Sequence, residues 1–211
     1  MSQLGYVHKI LSTFPTASPA KVARTPHILA QATAQPNLLL NEADKLLYMQ
    51  ITGSLLYLAI GTRPDILQSV HLLTRHMQNP DKTHMKQAER IIHYLRMYPD
   101  RPLVFNGDSN SEIVCYADSA FNRGEKNQFG YCFRLGRNSG CFLSVLKKST
   151  LVSLSSTEAE YYSLCEAAEN FYGSRVFLRK LTMTPRSRPT LSVKITLVVC
   201  LLPTNSNRPT A

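Results

Sequence analysis

No stretch of this 211-residue sequence holds the roughly 18 unbroken apolar residues of a membrane span, so the chain is expected to be soluble, with no membrane partner. Its opening residues, MSQLGYVHKILSTFPTASPA, carry a lone lysine, and their apolar run is broken by His8, Lys9 and Pro15; that is not the form of a secretory signal. Cys115, Cys132, Cys141, Cys165 and Cys200 are odd in number and lack C-x-x-C spacing, so neither a zinc knuckle nor a disulfide framework is indicated. A reducing, intracellular compartment, cytoplasmic or nuclear, fits that usage best. Acids are scarce: 14 Asp and Glu face 24 Lys and Arg, for a formal charge of +10 and a pI near 9.5. That balance favours a polyanionic partner such as nucleic acid, although charge alone does not identify one. What is present is enough to fold, since 44% of the residues are hydrophobic and can build a core.

Leu4, Val7, Ile10, Leu11 and Phe14 recur at helical spacing, and the stretch that follows, to about Pro36, carries prolines among small and polar residues. Residues 1–40 therefore read as a short helix and a Pro-rich linker. From Asn41 the pattern turns helical in three segments, NEADKLLYMQITGSLLYLAIGT, RPDILQSVHLLTRHMQNP and DKTHMKQAERIIHYLRMYPD, each punctuated by Pro, Gly, Asn or Asp. Arg63-Pro64-Asp65 looks like a helix start. Residues 41–105 form this helical part, and the Gly, Asp and Asn cluster at 106–110 is the best boundary. Beyond it, residues 112–118 and 129–135 alternate as strands do, and GRNSG provides a hairpin turn into CFLSVL. TLVSLS ends the sheet run, and a helix from Ser155 to about Leu181 completes an α+β unit of antiparallel strands with a packed helix, residues 110–181.

That helix opens SSTEAEYYSLCEAAEN. With Ser155 as N-cap, Glu158 falls at the third helical position, where it closes a capping box. Glu160 points about 200° away from Glu158 around the helix, sharing its face with Leu164, Ala167 and Phe171. That face should pack on the sheet, where a lone charge is costly to bury, so a metal ion or another partner would explain it. Asp118, at the end of the first strand of this half, is either a turn aspartate in ADSAFNRG or a second carboxylate of the same site. A strand Asp and a helix Glu brought together could hold magnesium, and paired ions of that kind hydrolyse phosphodiesters. His71, His76, His84 and His93 lack H-x-x-x-H spacing and read as structural. The strand from Phe129 to Phe133 reads as core. Lys147, Lys148, Arg175, Arg179 and Lys180 are candidates for phosphate contact.

The runs YMQITGSLLYLAIGTRPDILQSV, HMKQAERIIHYLR, CYADSAF, FGYCFRLG and LSSTEAEYYSL, in that order, resemble the C-terminal part of copia-type retrotransposon Pol polyproteins. There they run from the end of the reverse transcriptase into the ribonuclease H domain. The resemblance covers about residues 2–181. It implies that Asp118 matches the first catalytic aspartate and Glu160 the catalytic glutamate of a site that cleaves the RNA strand of an RNA–DNA hybrid with Mg2+. It also implies the rest of a retroelement polyprotein as a partner.

The departures are as informative. The family's Tyr-x-Asp-Asp polymerase box is absent from these residues, so the chain is not expected to copy a template by itself. The third carboxylate, from a Cys-x-Asp-Asn-like box, should follow Leu181, but residues 182–211 contain neither Asp nor Glu. The later Lys-His-Ile-Asp box is missing, and the usual D-A-D-W reads Asp118-Ser119-Ala120-Phe121, in a chain without tryptophan. Regrouping codons compatible with Ser192 to Thr196 from the last base of each yields Cys-Glu-Asp-Asn, so a frame change would account for the divergent tail. LSVKITLVVCLL read as a strand of its own is the alternative. The resemblance thus implies a truncated ribonuclease H-like unit with an incomplete site, either a non-catalytic remnant that binds nucleic acid or a still-active metal-dependent ribonuclease H.

Overall fold

The computed structural model describes residues 1–15, 22–27, 39–105, 113–121, 126–136, 138–182 and 196–199. The chain divides into two compact units, Met1–Phe105 and Asn106–Ala211. Most of the linker between the first two helices lies outside the described residues, as does most of the chain beyond Thr182.

The first unit is helical: α1 Leu4–Thr13, α2 Glu42–Gly61, a 3-10 turn Pro64–Ile66, α3 Leu67–Thr74 and α4 Lys82–Met97. Asn41 caps α2 by accepting the Asp44 N–H at 2.7 Å, and Glu42 and Asp44 place negative charge at the helix's positive end. Asp81 caps α4 through an unusual capping box in which His84 takes the place of Glu. The Asp81 carboxylate accepts the His84 N–H at 2.8 Å, and His84 Nδ1 accepts the Asp81 N–H at 3.1 Å. Both residues are buried, so this histidine holds a helix end. Val7 and Ile10 of α1, Leu55 and Leu58 of α2, Val70 and Leu73 of α3, and Ile91 and Leu95 of α4 meet in one core.

At the edge of that core the turn Arg63-Pro64-Asp65 does more than start a helix. The Arg63 guanidinium, 3% exposed, makes a two-pronged contact with Asp65, Nε to Oδ1 and Nη2 to Oδ2, each at 2.9 Å. Its Nη1 donates to the Tyr98 carbonyl at 2.8 Å, just past the end of α4. The Tyr94 hydroxyl donates to Asp65 Oδ2 at 2.9 Å, and Arg101 lies over the Tyr98 ring at 4.2 Å. Every polar atom brought in here has a partner, as burial of charge requires.

The second unit is α+β. Strands β1 Ile113–Ala120, β2 Gln128–Leu135 and β3 Cys141–Lys148 pair antiparallel, α5 spans Ser156–Thr182, and β4 Thr196–Val199 lies parallel to β1. The sheet order is β3-β2-β1-β4. Gly136, at φ +79°, supplies the left-handed residue that turns the chain out of β2. Ile113, Cys115 and Ala117 of β1 share a core with Tyr131 and Phe133 of β2 and with Ala167 and Phe171 of α5. Phe133 is at its centre, with ring contacts to Tyr131, Phe142 and Phe171. Strand pairing stops at Lys148, and residues 149–155 form an irregular bend in which Leu151, Val152 and Leu154 stay exposed. Thr196–Val199 is thus a strand, although it falls in the acid-free tail.

Candidate functional site

The start of α5 is set by its caps. The Ser155 hydroxyl accepts the Glu158 N–H at 3.1 Å, as a capping box requires, whereas the Glu158 carboxylate reaches back to the N–H of Leu154 at 2.6 Å. The expected acceptor relation therefore holds with one change: Glu158 satisfies the donor one residue before the cap instead of the cap's own N–H. Ser155→Ala removes the hydroxyl acceptor. It should lower the stability of the second unit by about 1 kcal/mol, read as an earlier thermal transition and faster amide exchange in the first turn of α5. An unchanged transition would deny the cap any role.

From that start the helical period carries Glu160 to the sheet side. Ala167 and Phe171, its partners on the same face, are buried in the sheet core, with Leu164 packed against them. Glu160 itself is half-buried and makes no hydrogen bond or ion pair among the described residues. One turn on, Ser163 is 1% exposed and donates its hydroxyl to the Asp118 carbonyl at 3.1 Å, with the Gly130 carbonyl, Asp118's partner across the ladder, at 3.5 Å. Ser163 thereby fixes α5 against the ends of β1 and β2. The sequence reading missed it, though its place three residues after Glu160, on the same face, is the signal that would have found it.

Asp118 and α5 meet through the main chain. The alternation of β1 sends Ile113, Cys115 and Ala117 beneath α5, and Asp118 belongs to the other set, with Val114 and Tyr116. Its Oδ1 accepts the N–H of the next residue, Ser119, at 2.9 Å. Beside it, β4 brings Thr196 to Val199 against Val114 to Ala117. Among the described residues no group of three or more His, Cys, Asp or Glu side chains is placed to hold a metal ion. Lys147 and Lys148 are exposed at the end of β3, while the side chains of Arg175, Arg179 and Lys180 lie outside what is described. No helix among the described residues is long and apolar enough to cross a membrane.

No family model matches the chain, and no solved structure does. It is 33% identical over 125 residues to "Secreted RxLR effector protein 161" of Plasmopara viticola, an alignment covering 58% of this chain and 87% of that protein. It is 30% identical over 190 residues to the retrovirus-related Pol polyprotein from transposon TNT 1-94 of Nicotiana tabacum, covering 86% of this chain and 14% of the polyprotein. The corresponding protein from transposon RE1 of Arabidopsis thaliana is 32% identical over 178 residues, 80% of this chain and 11% of the polyprotein. The chain thus spans most of the first relative and a small part of the two Pol polyproteins. It is a retrotransposon Pol-like region, and it belongs to the sequence family that joins these polyproteins with the Plasmopara viticola protein.

Proposed function

We propose that the chain is a remnant of the C-terminal part of a copia-type Pol polyprotein. The helical unit stands for the end of the reverse transcriptase and the α+β unit for a ribonuclease H-like domain that binds RNA–DNA hybrid without cleaving it. The observation that carries this reading is the acid-free strand beside β1. Thr196–Val199 runs parallel to the strand that bears Asp118, and no Asp or Glu follows Glu169 in the sequence. A two-ion phosphodiesterase needs carboxylates enough to clamp both the attacking and the leaving oxygen. Asp118 and Glu160 are two, and one Asp118 oxygen already accepts a main-chain N–H. Among the described residues the donor set does not fit a resident pair of magnesium ions. The formal charge of +10 remains available for phosphates.

A specific observation favours a second reading. Glu160 is half-buried and without a hydrogen-bond partner among the described residues, and this is the observation behind an active metal-dependent ribonuclease H with Asp118 and Glu160 on magnesium. One assay separates the two. An RNA–DNA hybrid is incubated with the purified chain and magnesium, and both retardation and cleavage are followed. The remnant binds without cleaving, and six neutralised phosphates would weaken binding about a thousandfold between roughly 50 and 200 mM salt. Asp118→Asn leaves that binding unchanged. Magnesium-dependent cleavage that disappears in Asp118→Asn would overturn this reading in favour of the enzyme.

A further inference from the structure

Cys132 and Cys141 were placed by the sheet, not by any spacing in the sequence. Cys132 pairs with Ser144 across the β2–β3 ladder, and an irregularity between Phe133 and Arg134 brings Cys141 opposite Arg134. Cys132 and Arg134 share a face, so Cys141 is the diagonal neighbour of Cys132. The Cys141 thiol donates to the Leu143 carbonyl at 2.9 Å, just inside the strand that carries it past Cys132. Both cysteines are half-buried, and both are free thiols. Cys141 is the first residue of β3, beside the hairpin turn, where the ladder can yield as two sulfurs close to bonding distance.

We propose that Cys132 and Cys141 form a reversible disulfide on exposure to a peroxide, pinning the edge strand β3 to β2. The Cys132 thiolate attacks one peroxide oxygen; an S–O bond forms, the O–O bond breaks and hydroxide leaves. The Cys141 sulfur then displaces water from the sulfenic acid, giving the S–S bond. Two thiols are oxidised by two electrons while one peroxide is reduced to two waters. The order of attack follows from the surroundings. The neighbouring Cys141 and the Arg134 charge pull the Cys132 thiol down against the effect of burial, while the same neighbour pushes Cys141 up. Cys115, in the core under α5, is pushed up to about 11 by burial and is a poor competitor.

The intact chain is treated with hydrogen peroxide, blocked with iodoacetamide, digested and analysed by mass spectrometry. The expected product is one pair of peptides joined through Cys132 and Cys141, two hydrogens lighter than the separate thiols and released by dithiothreitol. Exposed Cys165 is the internal control. Cys141→Ser should abolish the bridge and leave Cys132 to oxidise further, with circular dichroism confirming that the variant is folded. Alkylation of Cys132 should proceed at a lower pH than that of an ordinary thiol, whose pKa is about 8.5. Oxidation of Cys165 with no Cys132–Cys141 link, or a link formed only in urea, would overturn the proposal.

Discussion

Arg63→Ala should destabilise the helical unit by about 3 kcal/mol, at the lower end of the range for breaking a buried ion pair. The lower end applies because Asp65 retains some access to water, at 29% side-chain exposure, and keeps the Tyr94 hydroxyl. The loss has three parts: the two-pronged contact to Asp65, the bond to the Tyr98 carbonyl, and a carboxylate left without its cation. Arg63→Lys keeps the charge but cannot reproduce the fork and the third bond together, so it should recover only part of the loss. Urea unfolding with amide exchange along α3 and α4 measures both variants. An alanine variant within about 0.5 kcal/mol of the parent would mean that the network contributes nothing net, as exposed pairs often do not.

The same pair gives a pH dependence with a definite sign. Burial alone would raise the Asp65 carboxyl, but the hydrogen bond and charge of Arg63, joined by Tyr94, hold it below the usual carboxylate value of 3.8. A carboxyl more acidic in the folded state contributes its full stability above its unfolded pKa and loses it as pH falls toward the lowered one. Stability of the helical unit should therefore fall below about pH 4, and Asp65→Asn should flatten that part of the profile. An unchanged acid limb in Asp65→Asn would assign it to other carboxylates.

Phe133→Ala should have a comparable or larger effect on the α+β unit, about 3–5 kcal/mol, as large-to-small changes at fully buried aromatics do. Phe133 is fully buried and joins three rings from β2, β3 and α5, so its loss removes contacts from every layer of that unit at once. Exchange protection in β1, β2 and α5 should collapse while the helices of the first unit, which has its own core, keep theirs. A loss below about 1 kcal/mol would mean that the site closes around the missing ring.

Local chemistry explains which parts of this structure could be read from the residues. Asn41, Asp81 and Ser155 announce helix starts because capping needs only neighbours within a few positions. Phe129, Tyr131 and Phe133 announce a buried strand face because alternation is equally local. The Ser163 bond to the Asp118 carbonyl, the reach of Arg63 to Tyr98 and the diagonal placement of Cys132 and Cys141 each join residues that only tertiary structure brings together. The candidate carboxylates were legible as residues. That α5 grips the backbone at Asp118 was not, because strand alternation leaves the face of a strand undetermined until its neighbours are known. Residues 196–199 read as β-prone in the sequence, and they form a strand beside β1.

The position of β4 also sets a timetable. β1 is made early in the second unit, yet its neighbour on one side arrives only with Thr196–Val199, after β2, β3 and the whole of α5. At ordinary translation rates that gap lasts on the order of ten seconds. Throughout it, the Val114–Ala117 edge of β1 offers unpaired main-chain groups to whatever extended chain is near. The hairpin β1-β2-β3 can assemble from adjacent sequence, but its fourth member is a distant one, and distant pairings are the slow ones. A ribosome-bound chain paused before Thr196 is therefore a three-stranded sheet with an open seam, and the interval before that seam closes is when this protein is most exposed to mispairing.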